Sequence, residues 1–86
     1  MKLNVYVIRD QRTCFMTPTF DYNDQSAIRN FEHAVLQKES LFNSHAEDYS
    51  IYRIGEYDNQ TGIISPEVSP VLILDGKDFG SFKEVH

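Results

Sequence analysis

Aromatic rings and arginines are the side chains of this 86-residue chain best equipped for chemistry. It holds six Phe, five Tyr and no Trp, with eight Lys and Arg in all. Rings that stack on unpaired bases, next to cations that meet phosphates, form the usual equipment of a single-strand nucleic-acid binder. The segment Tyr49–Tyr57 interleaves the two, with Tyr52, Arg53 and Tyr57 at strand-like spacing. Tyr6 lies on an equally strand-like opening segment. Arg9 and Arg12 flank the first turn, and Arg29 falls on a helix. The expected contacts are Arg9, Arg12, Arg29 and Arg53 to phosphate, and Tyr6, Tyr52 and Tyr57 to bases. The competing reading is that rings in so small a domain fill its core and that scattered arginines keep it in solution.

Catalysis finds less to work with. Cys14 would need a histidine base close by, yet His33 falls off the apolar stripe of the helix and His45 sits in a connection. Glu47-Asp48 reads as a solvated turn or cap. The four glycines form no phosphate loop, and Asp75-Gly76-Lys77-Asp78 lacks the alternating acids of a calcium loop. One cysteine and three separated histidines supply no zinc-ligand spacing. The expectation is a non-enzymatic protein with no catalytic residues, no metal and no cofactor.

Length and composition fit one domain over residues 1–86, with the core in 2–74 and a weakly patterned tail in 75–86. The longest apolar run is Val71-Leu72-Ile73-Leu74, far short of the ~20 residues of a membrane span. A soluble protein of the cell interior is expected. Net charge is −5, the wrong sign for binding phosphate. Residues 1–53 carry six bases and seven acids, whereas residues 54–86 carry two bases and six acids. The acid excess therefore sits in the last third.

Those side chains must be positioned by a short list of elements. Leu3–Ile8 alternates as a strand, residues 9–13 read as a turn, and Cys14-Phe15-Met16 resumes an extended pattern up to Pro18. Phe20 and Tyr22 are expected to pack under the connection that follows. Asn23 or Asp24 caps a helix whose stripe is Ala27, Ile28, Phe31, Ala34 and Val35, ending near residues 38–40. Residues 41–48 form a polar connection. Tyr49–Tyr57 is the strongest strand, Asp58–Gly62 its turn, and Ile63-Ile64 the return strand. Pro66 and Pro70 bracket a break before a short strand at 71–74.

The order is ββαββ. It predicts an α+β fold, a single antiparallel sheet of four or five strands with one amphipathic helix on one face. Leu3, Val5 and Val7 are expected to face the helix, leaving Tyr6 and Ile8 on the open side. An open apolar face marks an interface, so a homodimer or higher homo-oligomer is expected.

Several pieces together carry a resemblance. They are the opening strand to Asp10, Phe15-x-x-Pro18, and Ala27-Ile28-Arg29-x-Phe31. The last is Asp48-Tyr49-Ser50-Ile51-Tyr52-Arg53-Ile54-Gly55-Glu56-Tyr57-Asp58, closed by Thr61-Gly62. In that order they resemble the small nonstructural protein of microviruses of the gokushovirus type, over about residues 1–65. The resemblance implies a DNA-binding or replication-associated phage protein acting in the host cell cytoplasm, in genome replication or packaging, and brings no catalytic residues. The net acidity departs from that pattern. The alternative is a protein–protein adaptor or oligomerisation module that contacts a phage or host factor without touching DNA.

Overall fold

A computed structural model describes residues 1–37 and 45–78. Strand β1 (Lys2–Asp10) is followed by β2 (Thr19–Asp21), helix α1 (Asp24–Leu36), a 3-10 turn (Ala46–Asp48), β3 (Tyr49–Asp58) and β4 (Ile63–Asp75). The strands form one antiparallel sheet in the order β2-β1-β3-β4. The α+β class, the antiparallel sheet and helix α1 match the expectation from sequence. The predicted fifth strand is not separate, because residues 71–74 belong to β4. The second strand sits later than predicted. Cys14–Met16 contributes only an isolated bridge between Arg9 and Phe15, and Thr19–Asp21 takes the edge position. Pro18 lacks the N–H that a continuous strand would need there. The predicted helix end at 38–40 and the tail from 79 lie outside the described residues.

Local chemistry explains the boundaries. Asn23 has extended backbone and its side chain accepts a 2.8 Å hydrogen bond from the Ser26 N–H, capping α1. Gly62 takes φ 75°, a left-handed conformation that glycine adopts without penalty, and its N–H returns to the Asp58 carbonyl at 2.8 Å. Between Arg53↔Val71 and Gly55↔Pro66 the pairing skips, leaving residues 67–70 of β4 out of register. The flanking Pro66 and Pro70 cannot donate to a ladder.

The principal core lies between the sheet and α1. Tyr6, Ile51 and Tyr49 of the sheet meet Ala27, Phe31 and Val35 of the helix, with Ala46 closing one end. Burying Phe31 alone contributes about 2 kcal/mol. Gly55 is needed for a second reason. A Cβ there would stand 2.7 Å from the Ser65 carbonyl oxygen, which is backbone and cannot swing away. Gly55→Ala is expected to cost about 1–3 kcal/mol, as other overpacked positions do, and to lower Tm by about 4–8 °C per kcal/mol. A thermal melt followed by circular dichroism measures it.

Candidate functional site

Register decides which side chains share a face, because paired residues of neighbouring strands point the same way and successive residues alternate. Tyr6 pairs with Arg53, Ile8 with Ile51 and Asp10 with Tyr49. Tyr6, Ile51 and Tyr49 belong to the helix-side core, so this whole set faces α1. The opposite set is Val5 with Phe20, Leu3 with Tyr57, Val7 with Tyr52, and Arg9 with Phe15 and Ser50. Tyr52 continues to Leu72 and Tyr57 to Ile64 on β4. The sequence reading had this assignment inverted. Leu3, Val5 and Val7 face away from the helix, while Tyr6 and Ile8 lie beneath it. Alternation separates two sets but does not say which one the helix covers; the long reach of a tyrosine to the helix N-terminus settles that here.

Tyr6 is therefore no stacking residue. It is fully buried, and its hydroxyl donates to Asp24 Oδ1 at 2.6 Å and accepts from Asn4 Nδ2 at 3.0 Å. Arg53 is likewise withdrawn from phosphate. Its Nη1 donates to Asp24 Oδ2 at 2.7 Å and its Nε lies 3.6 Å from Glu67 Oε1. Tyr6, Asp24, Arg53 and Glu67 tie the first turn of α1 to β1, β3 and β4. Burial, followed by the hydrogen bond to Asp24, pushes the Tyr6 hydroxyl up to about 12. Partial burial opposes ionisation of Asp24, but the hydrogen bonds from Tyr6 and Arg53 outweigh it and hold the carboxyl below its ordinary value.

The signs of these shifts give opposite pH windows. The Asp24 contribution is present above the ordinary carboxylate range and is lost as pH falls through the depressed folded value. The Tyr6 contribution is complete below about pH 10, the ordinary tyrosine value. It is lost as pH rises toward the folded value of about 12. Tyr6→Phe is expected to cost about 1 kcal/mol at neutral pH, yet to lose less stability than the wild type from about pH 10 upward. Urea melts across that range test it.

The remaining predicted cations divide by partner and position. Arg12 Nε lies 3.2 Å from Asp48 Oδ2. Arg29 is exposed on α1, on the helix side of the molecule. Arg9 lies on the helix-free face, its guanidinium carbon 5.6 Å from the centroid of the Phe15 ring. Among the described residues, neither Arg9 nor Arg29 makes an ion pair. Of the predicted rings, Tyr52 and Tyr57 do stand on the helix-free face, together with Arg9.

Two phenylalanines complete that face, and the sequence reading had placed them elsewhere. Phe15 meets Tyr52 edge-on, with centroids 5.9 Å apart and planes at 72°. Phe20 meets Tyr57 at 5.4 Å and 59°. Val5 and Val7 are only 4% exposed although no helix covers them. Val5 is paired with Phe20 and Val7 with Tyr52, which sets a ring beside each valine. In return Phe15 and Phe20 stay 46% and 50% exposed, beside Ile64 and Leu72 at 56% and 51%. The period-two spacing of Phe20 against Val5 was available in the sequence only to a reader who already knew the β1–β2 register.

Charge is also sorted by face. Among acids at paired sheet positions, Asp10, Asp21, Glu56 and Asp58 share the helix side. Asp75, opposite Ser50, is the one on the helix-free side. The net charge of −5 therefore does not describe the aromatic face, which presents rings, aliphatic side chains, Arg9 and Asp75. Among the described residues no group of three or more His, Cys, Asp or Glu is placed to hold a metal ion. No helix there is long and apolar enough to cross a membrane.

Comparison with known proteins places residues 3–79 under a family model described as Phage ORF5 protein. No curated protein and no solved structure matches the chain.

Proposed function

The chain belongs to the Phage ORF5 protein family, and from that premise we propose a non-enzymatic phage accessory protein whose helix-free sheet face binds single-stranded DNA. The observation that carries the proposal is the composition of that face. Four aromatic rings in two contacting pairs share one face with Arg9, which meets the Phe15 ring, while four of the five paired sheet acids point the other way. Ring faces accept any unpaired base, at about 1–3 kcal/mol per stacked base. Duplex bases are already stacked and offer nothing to such a surface.

Binding of this kind is weak and sequence-tolerant, since among the described residues the face holds one cation, Arg9, outside any ion pair. It suits a protein that coats or hands over nascent genome strands. We assign it to genome replication or packaging of a gokushovirus-type phage, in the host cytoplasm. The proposed cation set contracts from four arginines to Arg9, and the proposed ring set becomes Phe15, Phe20, Tyr52 and Tyr57.

Fluorescence anisotropy of a labelled single-stranded oligonucleotide, titrated at ~50 and ~200 mM salt, tests the reading. The expected result is binding that weakens with salt and is not reproduced by the matching duplex. Arg9→Gln should lower the slope of log affinity against log salt by about 0.7, the value of one single-strand phosphate contact. Arg29→Gln should leave it unchanged. A flat titration at the lower salt would overturn DNA binding and favour a protein adaptor using the same face.

A further inference from the structure

We propose that the helix-free face also pairs with a second copy of this chain, so that self-association and DNA exclude one another. The exclusion rests on the DNA reading above; the pairing does not. Three observations point to a second copy as the occupant. The first is that the face carries its apolar side chains half-exposed over a buried layer. Phe15, Phe20, Ile64 and Leu72 are 46%, 50%, 56% and 51% exposed, above Val5 and Val7 at 4%. A surface so apolar on a protein so small calls for cover.

The second observation is that the sheet edges are poorly made for pairing. β2 is three residues long. β4 carries Pro66 and Pro70 beside its out-of-register stretch. Short edges and prolines are the devices that discourage edge-to-edge extension. Packing face to face is what remains.

The third observation is charge complementarity under a two-fold axis. At one end of the face the row across the sheet runs Phe15, Arg9, Ser50, Asp75. A two-fold axis parallel to the strands, between two stacked sheets, keeps that end in register and reverses the row. Arg9 then lies over Ser50 of the other copy, offset sideways by one strand spacing of about 4.8 Å from its Asp75 across a sheet separation of about 10 Å that the side chains span. The single cation and the single paired-position acid of the face approach each other twice. Isologous pairing of this kind is the common form of dimer.

Size sets the strength. Nine residues from each of β1, β3 and β4 and three from β2, at about 4.8 Å by about 3.3 Å each, give a footprint of roughly 480 Å² per copy. Two such footprints make roughly 950 Å², the size of a weak, transient interface. The pairing is therefore reversible and concentration-dependent, weak enough for DNA to displace.

Sedimentation velocity from about 5 to about 500 µM protein, with and without a single-stranded oligonucleotide, tests the proposal. The wild type should shift from monomer to dimer as concentration rises. Leu72→Lys should stay monomeric throughout, and Ile64→Lys repeats the test at a second half-exposed position should the first variant fold poorly. Added oligonucleotide should convert the wild-type dimer to a one-protomer complex. Leu72→Lys should bind DNA with a salt slope raised by about 0.7, for one added phosphate contact. A wild type monomeric at every concentration would overturn the pairing. So would a dimer that survives both lysine substitutions. DNA bound to an intact dimer would overturn the exclusion. Concentration-dependent dimers with no DNA bound by any variant would overturn the DNA reading and the exclusion with it, while upholding the interface.

Discussion

Arg53→Glu is expected to destabilise the protein by about 3 kcal/mol, the low end of what breaking a well-bonded ion pair costs. The guanidinium is only about a quarter exposed and bonds Asp24 at 2.7 Å, with Glu67 at 3.6 Å. A glutamate there would stand among two carboxylates and the Tyr6 hydroxyl, removing the cation and adding repulsion. At about 4–8 °C per kcal/mol for a domain of this size, Tm should fall by about 12–24 °C. Arg53→Gln keeps a donor without the charge and should lose less. Equilibrium urea denaturation gives both values. A change under 1 kcal/mol for Arg53→Glu would show that solvent screens the cluster and that Arg53 is available to a ligand after all. The expectation also reverses the simplest reading of the sequence, in which Arg53 binds phosphate and its replacement leaves folding intact. Loss of DNA affinity in an Arg53 variant would then report unfolding, so every such titration needs a melt beside it.

Arg53 and Tyr6 show where the sequence stopped being legible. Element types were readable from local signals: the Asn23 cap, the Ala27–Phe31–Val35 stripe and the Gly62 turn all stand where periodicity and turn chemistry put them. The assignment of faces was not. Leu3, Val5 and Val7 against Tyr6 and Ile8 are two equally apolar alternating sets, and the choice between them rests on long-range contacts. Tyr6 reaches a residue 18 positions away and Arg53 one 29 positions away. The skip in β4 was half legible, since Pro66 and Pro70 announced a break without saying that the strand resumes on the same neighbour. Of the candidate site, Arg9, Tyr52 and Tyr57 were found and lie together. Phe20 was read as packing under a connection and Phe15 as part of an extended segment, with neither assigned to a sheet face. Both pack and stay about half exposed: Phe20 is paired with Val5, and Phe15 meets the Tyr52 ring that is paired with Val7.

That double role makes the phenylalanines the sharpest test of function. Phe15→Leu with Phe20→Leu keeps apolar bulk over Val5 and Val7 while removing two π-faces. Large apolar swaps of similar size cost under about 1.5 kcal/mol each, and both positions are about half exposed, so the double variant should stay folded. Each stacked base is worth about 1–3 kcal/mol. The pair should therefore weaken single-stranded DNA binding by about a hundredfold, at one tenfold step per 1.4 kcal/mol. The salt slope should not move, because Arg9 and its phosphate contact are untouched. Anisotropy at two salt concentrations separates the terms: the rings set the intercept and the arginine sets the slope. Affinity unchanged in the leucine variant would remove stacking from the mechanism and reduce Phe15 and Phe20 to cover for the valines. A slope that fell together with the affinity would mean that Phe15 acts by holding Arg9, whose guanidinium it meets at 5.6 Å. The rings would then orient the cation, and the helix-free face would bind through one positioned charge.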